Sequence, residues 1–367
     1  MSDSSGVFRS LIGGFVDELV QREVEPSVGL FGSWTRYGAS TSSALDLLVA
    51  SRSGADHEFY EWAEYDGLLL NVNRIPWFWI GEVVAPEVDH RLHESVVLHD
   101  PEGVLGRARG FVEDNYRTSG RVEVRTEGYL KTSDTYMSRV ASAMNRGDLE
   151  TALVFAELSL VSATHVLLDV AGLPVTRGSY VWDVRRACER LGLMEAYFEA
   201  LGVFRLAEVD SDYVSSLRGS YEAAWRGIRE FMVDRREVIE DLHERLRRDV
   251  VYLTDPLALG LVMGRTEEML GEGDLVGAAM YLRGWLLPLL EVCAWVVQAG
   301  RGDKFDYTSL FRTLGEGEIG GVYDESVTVF GLDGVGGGDA EEAVAGCRAV
   351  VSGIRGDRRR LIRGFVD

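Results

Sequence analysis

The chain reads as α+β, and two observations predict it. Between residues 28 and 75 short apolar runs alternate with turn residues at strand spacing, whereas from about residue 129 onward apolar positions recur at helical spacing. Runs of strands followed by runs of helices make a sheet domain with a helical remainder. The 367 residues are enough for two or three domains. The predicted partition is 1–125 for the sheet domain, 126–205 and 206–330 for two helical bundles, and 331–367 for a Gly-rich linker with a last helix.

Val7 to Gln21 places Phe8, Leu11, Ile12, Phe15, Leu19 and Val20 on one helical face, and Pro26 stops the helix. Val28 to Phe31 is a short buried strand, and Leu45 to Ala50 a second one. Glu58–Tyr65 and Leu68–Ile75 flank Asp66-Gly67, a two-residue hairpin signal. Asp100-Pro101-Glu102 reads as a helix start, with Asp100 as N-cap and Pro101 at the first helical position.

In the helical part, Gly147-Asp148-Leu149 opens an apolar helix running to Val170, and Gly273-Asp274-Leu275 opens another running to Gln298. These starts lie 126 residues apart, each after a shorter helix carrying Met144 or Met269, which suggests a weak internal repeat. Tyr221 to Asp249 reads as a charged amphipathic helix. Gly331 to Gly338 reads as a flexible break before a helix capped by Asp339. The window Gly284–Gly300 carries Pro288 and Glu291 and is short for a bilayer, so it is expected to be a buried helix and no membrane association is expected.

Composition is that of an ordinary globular protein, 46% hydrophobic and 26% charged. A net charge of −21 disfavours nucleic acid as a partner, since the field repels phosphate backbones. Cys188, Cys293 and Cys347 are isolated, so neither a disulfide framework nor a zinc site is indicated, and a cytoplasmic location is expected. His90 and His93 have helical ligand spacing but no third ligand at a recognised distance.

The stretch that concentrates chemistry is Leu30-Phe31-Gly32-Ser33-Trp34-Thr35-Arg36-Tyr37-Gly38-Ala39, followed by Ser42-Ser43-Ala44-Leu45-Asp46-Leu47. A Gly-Ser turn lets backbone N–H groups approach an anion, and an acid on the next strand can hold a divalent cation against phosphates. This pattern resembles the signature of the nucleotidyltransferase superfamily, Gly-Ser, a spacer, then Asp-x-Asp. The strand Leu70-Asn71-Val72-Asn73 looks most like its kanamycin nucleotidyltransferase branch. The resemblance covers about residues 7 to 125 and implies a mixed-sheet domain with helical bundles after it. It also implies nucleotide-binding roles for Gly32, Ser33, Arg36 and Ser43, metal ligation by Asp46 and the position of Asn71, and catalysis by Asp46 with a base from the helical part. Glu157 is the nearest counterpart of that base; its competing reading is an acid paired structurally with an arginine.

Two departures bear on activity. Ala44 stands where the first Asp of the pair is expected, and Asn71 where a third carboxylate is expected. Glu58, Glu61, Glu64 and Glu82 are the nearby acids that could compensate. The expected function is transfer of a nucleoside monophosphate from a nucleoside triphosphate to a hydroxyl of a small molecule or protein, weakened or lost. The alternative is an inactive nucleotide-binding or protein-interaction module. Magnesium binding is expected to be weak or nucleotide-dependent, the acceptor is open, and a homo-oligomer is compatible with the family.

Overall fold

The computed structural model describes residues 4–36, 42–52, 54 and 56–366, with side chains from residue 7. Tyr37, Gly38 and Ala39 of the stretch above lie outside the described residues. The chain forms two compact units: residues 1–117 with 244–261, and residues 118–243 with 262–367. The sheet unit thus closes at residue 117 rather than 125, and it takes back a segment from the helical half of the sequence.

The first unit is built on a five-stranded mixed sheet. Helix α1 (Ser4–Arg22) precedes β1 (Ser27–Phe31), the short α2 (Ser33–Arg36), β2 (Leu45–Ser51), β3 (Phe59–Tyr65) and β4 (Leu68–Pro76). Then come α3 (Asp89–Glu94), β5 (Val96–His99) and α4 (Val104–Asn115). The strand order is β3-β4-β2-β1-β5. Among the described residues only the β2–β4 pair is parallel, with Asp46 beside Asn71; β1 runs antiparallel to β2 and to β5. The expected Asp66-Gly67 hairpin forms, both residues at positive φ, with Tyr65 opposite Leu68.

Alternation along the strands separates two cores. Leu45, Leu47, Val49, Leu70 and Val72 face α1 through Ile12, Val16 and Leu19. Leu48, Ala50 and Ile75 face the other way, under Val88, Leu92, Leu105 and Ala108 of the covering turns and helices. Asp46, Asn71 and Asn73 share this second face by register. Asp100 does not sit at an N-cap position: α4 begins after Gly103, and Asp100 accepts from the Leu105 and Gly106 amides at 3.2 and 2.8 Å and from Ser27 Oγ at 2.9 Å. The proline keeps residues 101–103 in a turn, so the cap acts from further upstream.

The second unit is helical. Its first two helices are α5 (Ser119–Arg146) and α6 (Leu149–Ala171); at 28 residues against 23, α5 is the longer, contrary to the expected short leader. The repeated Gly-Asp turns are built alike. Gly147 and Gly273 take left-handed φ, and the carboxylates of Asp148 and Asp274 accept the Thr151 and Gly277 amides at 3.1 and 3.0 Å. The packing around them is not repeated. Helix α6 lies against α5 and the C-terminal helix Gly337–Phe365, while the helix Leu275–Gly300 packs on the helix Ser211–Asp234. The stretch 221–249 divides into three helices ending at Asp234, Glu240 and Leu253. The final helix starts at Gly337, and Asp339 accepts the Gly336 amide from inside the first turn at 3.0 Å.

Among the described residues, two helices are long and apolar enough to cross a bilayer, α6 and Leu275–Gly300. The second has 26 residues, so length alone does not exclude a span as the short window suggested. Most of each helix is buried within the protein, 83% and 78% of the apolar windows.

Candidate functional site

The registers of three strands bring the sequence motif together. Phe31 pairs with Asp46 across β1–β2, and Asp46 with Asn71 across β2–β4. Gly32, one residue beyond β1, therefore lies over the Asp46 side chain. A Cβ at Gly32 would stand 2.5 Å from Asp46 Oδ2, and its φ of +85° is one that few side chains tolerate. The Gly32 carbonyl is taken by Thr35, through its amide at 3.2 Å and its hydroxyl at 2.9 Å. This fixes the orientation of the turn. Trp34 Nε1 donates to the Ser43 carbonyl at 3.3 Å and ties α2 to the start of β2.

Asp46 is partly exposed but enclosed by protein on most sides. Burial pushes its carboxyl up to about 6, the hydrogen bond from Asn71 and the Arg36 charge pull it back, and the Glu94 charge pushes it up further. Asn71 Nδ2 donates to Asp46 Oδ1 at 2.9 Å. The Asn71 oxygen is turned to the Tyr252 hydroxyl at 3.3 Å. Tyr252 lies on the helix Glu244–Leu253 of the same unit; its ring stacks on Trp62 at 5.0 Å, and its carbonyl accepts Trp62 Nε1 at 3.0 Å. Ala44 is buried and contributes only a methyl group to this corner.

Glu94 completes the site. The antiparallel register of β1 and β5 sets Leu30 opposite Val96, and Glu94, the last residue of α3 two positions before Val96, meets the turn and short helix that follow β1. The Glu94 carboxylate pairs with the guanidinium of Arg36, and the backbone N–H of Gly32 lies near enough to draw its pKa down. Burial raises its pKa, while those two donors work against the rise. Next to it on α3, Arg91 pairs with Glu58, which also accepts from Asn73 and Tyr60 at 2.8 Å each. Burial works to raise the Glu58 pKa, yet Arg91, Asn73 and Tyr60 together hold it below the ordinary value.

A metal ion finds a poor donor set here. Among the described residues no group of three acidic, histidine or cysteine side chains is placed to hold one. Asn71 directs hydrogens, not its oxygen, at Asp46, and Glu94 is committed to Arg36. The acids expected to compensate are engaged elsewhere or exposed: Glu58 with Arg91, Glu61 with Arg74 and Arg248, Glu64 and Glu82 at the surface. His90 and His93 meet Tyr116, His93 by stacking at 3.8 Å.

Glu157 belongs to the second unit, on α6. Its carboxylate pairs with Arg283 Nη1 at 2.9 Å, and Arg283 is 1% exposed. Arg283 also donates to the carbonyls of Phe204 and Val329 at 2.8 and 3.0 Å, near two helix C-termini. Arg205 donates to the Phe330 carbonyl at 3.3 Å, at the end of the same helix as Val329. Two arginines thus face one carboxylate and two negative helix ends, while Arg283 Nη2 and Arg205 Nε are buried without a hydrogen-bond partner among the described residues. Glu157 and Arg283 are separated by 126 residues, the offset of the two Gly-Asp turns.

A cavity of about 500 Å³ opens between α1, β3 and the helix Glu244–Leu253, lined by Phe15, Trp62, Arg74, Arg248 and Tyr252 among others. Gly32, Arg36 and Asp46 do not line it.

No protein-family model matches this chain, and no curated protein matches it. A nucleotidyltransferase-like protein from Exiguobacterium sibiricum is similar in solved structure, at 10% identity over 89% of each chain with a TM-score of 0.32. At that level the overlay carries no argument about this chain. The resemblance rests on Gly32, Ser33, Arg36 and Asp46 themselves.

Glu94, Arg91 and Tyr252 are the site residues that sequence reasoning missed. Glu94 has one faint signal, its place two residues ahead of an apolar strand. Tyr252 has none, because 181 residues separate it from its partner Asn71.

Proposed function

We propose that the first unit is a nucleotidyltransferase-like domain in which nucleotidyl transfer is weak or lost, leaving a module that engages phosphorylated ligands or partner proteins. One observation carries this reading: the Asn71 amide and the Arg36 guanidinium, two groups expected to serve metal and phosphate, are each committed to a neighbour in the chain. Asn71 serves Asp46, while Gly32 and Arg36 serve Glu94. Transfer of a nucleoside monophosphate needs anionic ligands to place a cation and neutralise charge at the reacting phosphorus. Loss of one principal transition-state contact commonly costs on the order of 100- to 1000-fold in rate, and two carboxylate positions are occupied here by Ala44 and Asn71. Asp46, raised to about 6 by its surroundings, is left as a hydrogen-bond acceptor at neutral pH.

The test is incubation of the purified chain with each of four α-labelled nucleoside triphosphates, with magnesium and with manganese. The expected result is no label on protein or small-molecule acceptors above background. Robust turnover would overturn the reading. Ala44→Asp with Asn71→Asp reports on the missing ligands, since manganese affinity measured by calorimetry should rise in that variant.

A further inference from the structure

We propose that the Glu94 carboxylate is a built-in occupant of the anion site made by the Gly32 N–H and Arg36, so that phosphate binds there only by displacing it. This rests on the reading of the Gly32 turn as phosphate-facing. The site has the makings of an anion cradle independently of any ligand. A glycine at positive φ presents its amide, Thr35 holds the same turn from its carbonyl side, and an arginine in the following turn reaches the same point. The Arg36–Glu94 pair fills the cradle. The Arg36 and Glu94 side chains are only 20% and 14% exposed, and their pairing closes over the Gly32 amide.

A carboxylate offers two acceptor oxygens in one plane, and a guanidinium with a backbone N–H is a matching donor set. A phosphate oxygen pair has the same acceptor pattern with more charge, and guanidinium serves it equally well. The two anions therefore compete for identical donors. The internal one has a standing advantage, because the folded chain already holds it beside Arg36 without loss of translational freedom. Asp46 adds to the exclusion. It lies against Gly32, and its charge and that of Glu94 disfavour each other, so a diffusible phosphate arriving with Glu94 in place would meet two carboxylates. Removing Glu94 leaves one carboxylate, a free arginine and a free amide. The ligand class is then a phosphate chain, with inorganic pyrophosphate as its minimal member and a nucleoside triphosphate as its extended one.

The experiment compares the wild-type chain with Glu94→Ala, Glu94→Gln and Glu94→Ala/Arg36→Ala. Pyrophosphate and ATP are titrated separately by calorimetry, without metal. Glu94→Ala should bind pyrophosphate about 10- to 100-fold more tightly than wild type, the range expected when charge-assisted hydrogen bonds are released to a ligand. Glu94→Gln should gain less, since its amide still fills the space. The double variant should lose the gain. Formate should compete with pyrophosphate in Glu94→Ala, because it restores the missing carboxylate, and should leave wild type unaffected. ATP binding more tightly than pyrophosphate would mean that the nucleoside contributes; equal affinity would mean that the phosphates alone are read.

The proposal is overturned if Glu94→Ala, folded by circular dichroism, binds pyrophosphate no better than wild type. It is equally overturned if wild type already binds as tightly. Should Glu94→Ala not fold, Glu94→Gln carries the test, and no gain there counts against the proposal. These outcomes are separate from the catalytic reading. Turnover by the wild-type chain sinks that reading whatever Glu94→Ala does, and silent transfer with no gain in Glu94→Ala sinks only the displacement.

Discussion

Asp46 and Glu157 are both acids raised by burial with an arginine nearby, yet the two regions that hold them are built to different ends. Around Asp46, four chain segments meet at a partly open corner of a sheet, and the arginine is shared away to Glu94. Around Glu157, the arginine is 1% exposed and anchored by backbone carbonyls at two helix ends. The difference lies in what surrounds the charge. An ion pair in a packed helical core is a structural commitment, whereas acids at a strand edge beside a glycine turn keep a polar surface that a ligand could use.

The strongest way to break this contrast is to remove the core pair. Glu157→Ala leaves a buried guanidinium without its counter-charge and should cost about 3–5 kcal/mol, read as a lowered urea midpoint. Replacing both members with apolar residues, Glu157→Leu with Arg283→Met, should recover much of that loss. A loss below about 1 kcal/mol in the single variant would mean that the helix ends alone hold Arg283.

A smaller effect is expected at the strand corner. Gly32→Ala puts a methyl group 2.5 Å from Asp46 Oδ2 at a φ of +85°. The cost should be about 1–3 kcal/mol, combining backbone strain with displacement of the carboxylate. Thermal denaturation measures it, and an unchanged midpoint would contradict the close approach of turn and acid.

The smallest expected effect is a pH dependence. The Asp46 carboxyl titrates near 6 in the folded chain against 3.8 for the ordinary group. Between those values the folded state holds a proton that the unfolded state has released. Stability should therefore fall as pH rises from about 4 to about 6 and stay lower above, by about 1–2 kcal/mol after allowance for partial exposure. Asp46→Asn should remove that step. A wild-type stability that rises through the same window by the Asp46 contribution, judged from the difference between the two proteins, would reverse the assignment.

Much of the first unit was legible because its signals are local. Asp66-Gly67 needs positive φ at both residues, and the alternation of Leu45, Leu47 and Val49 needs one buried face. The Gly-Asp helix starts were equally plain, since an Asp three residues before an amide caps it whatever lies beyond. The misreadings have one origin. Met269 and Met144 precede similar turns, but which helix covers the following one depends on partners distant in sequence, and periodicity carries no information about partners. The Asp100 cap is a local exception: the turn through Pro101 puts Gly103 at the N-cap, while the Asp100 carboxylate still accepts the Leu105 and Gly106 amides from upstream.

The sequence by itself determined most of the elements of the first unit and the residues that carry the resemblance, Gly32, Ser33, Arg36 and Asp46, with Ala44 and Asn71 where that resemblance expects carboxylates. Those follow from spacing, side-chain alternation and residue identity, which are properties of the chain read in a line. Only the tertiary structure decided that Glu94 reaches the Gly32 amide, that Asn71 spends its amide on Asp46, and that Glu157 is half of a core ion pair. Each of these depends on strand register or helix packing, where groups far apart along the chain compete for the same donor, and that competition is settled only when the whole fold closes.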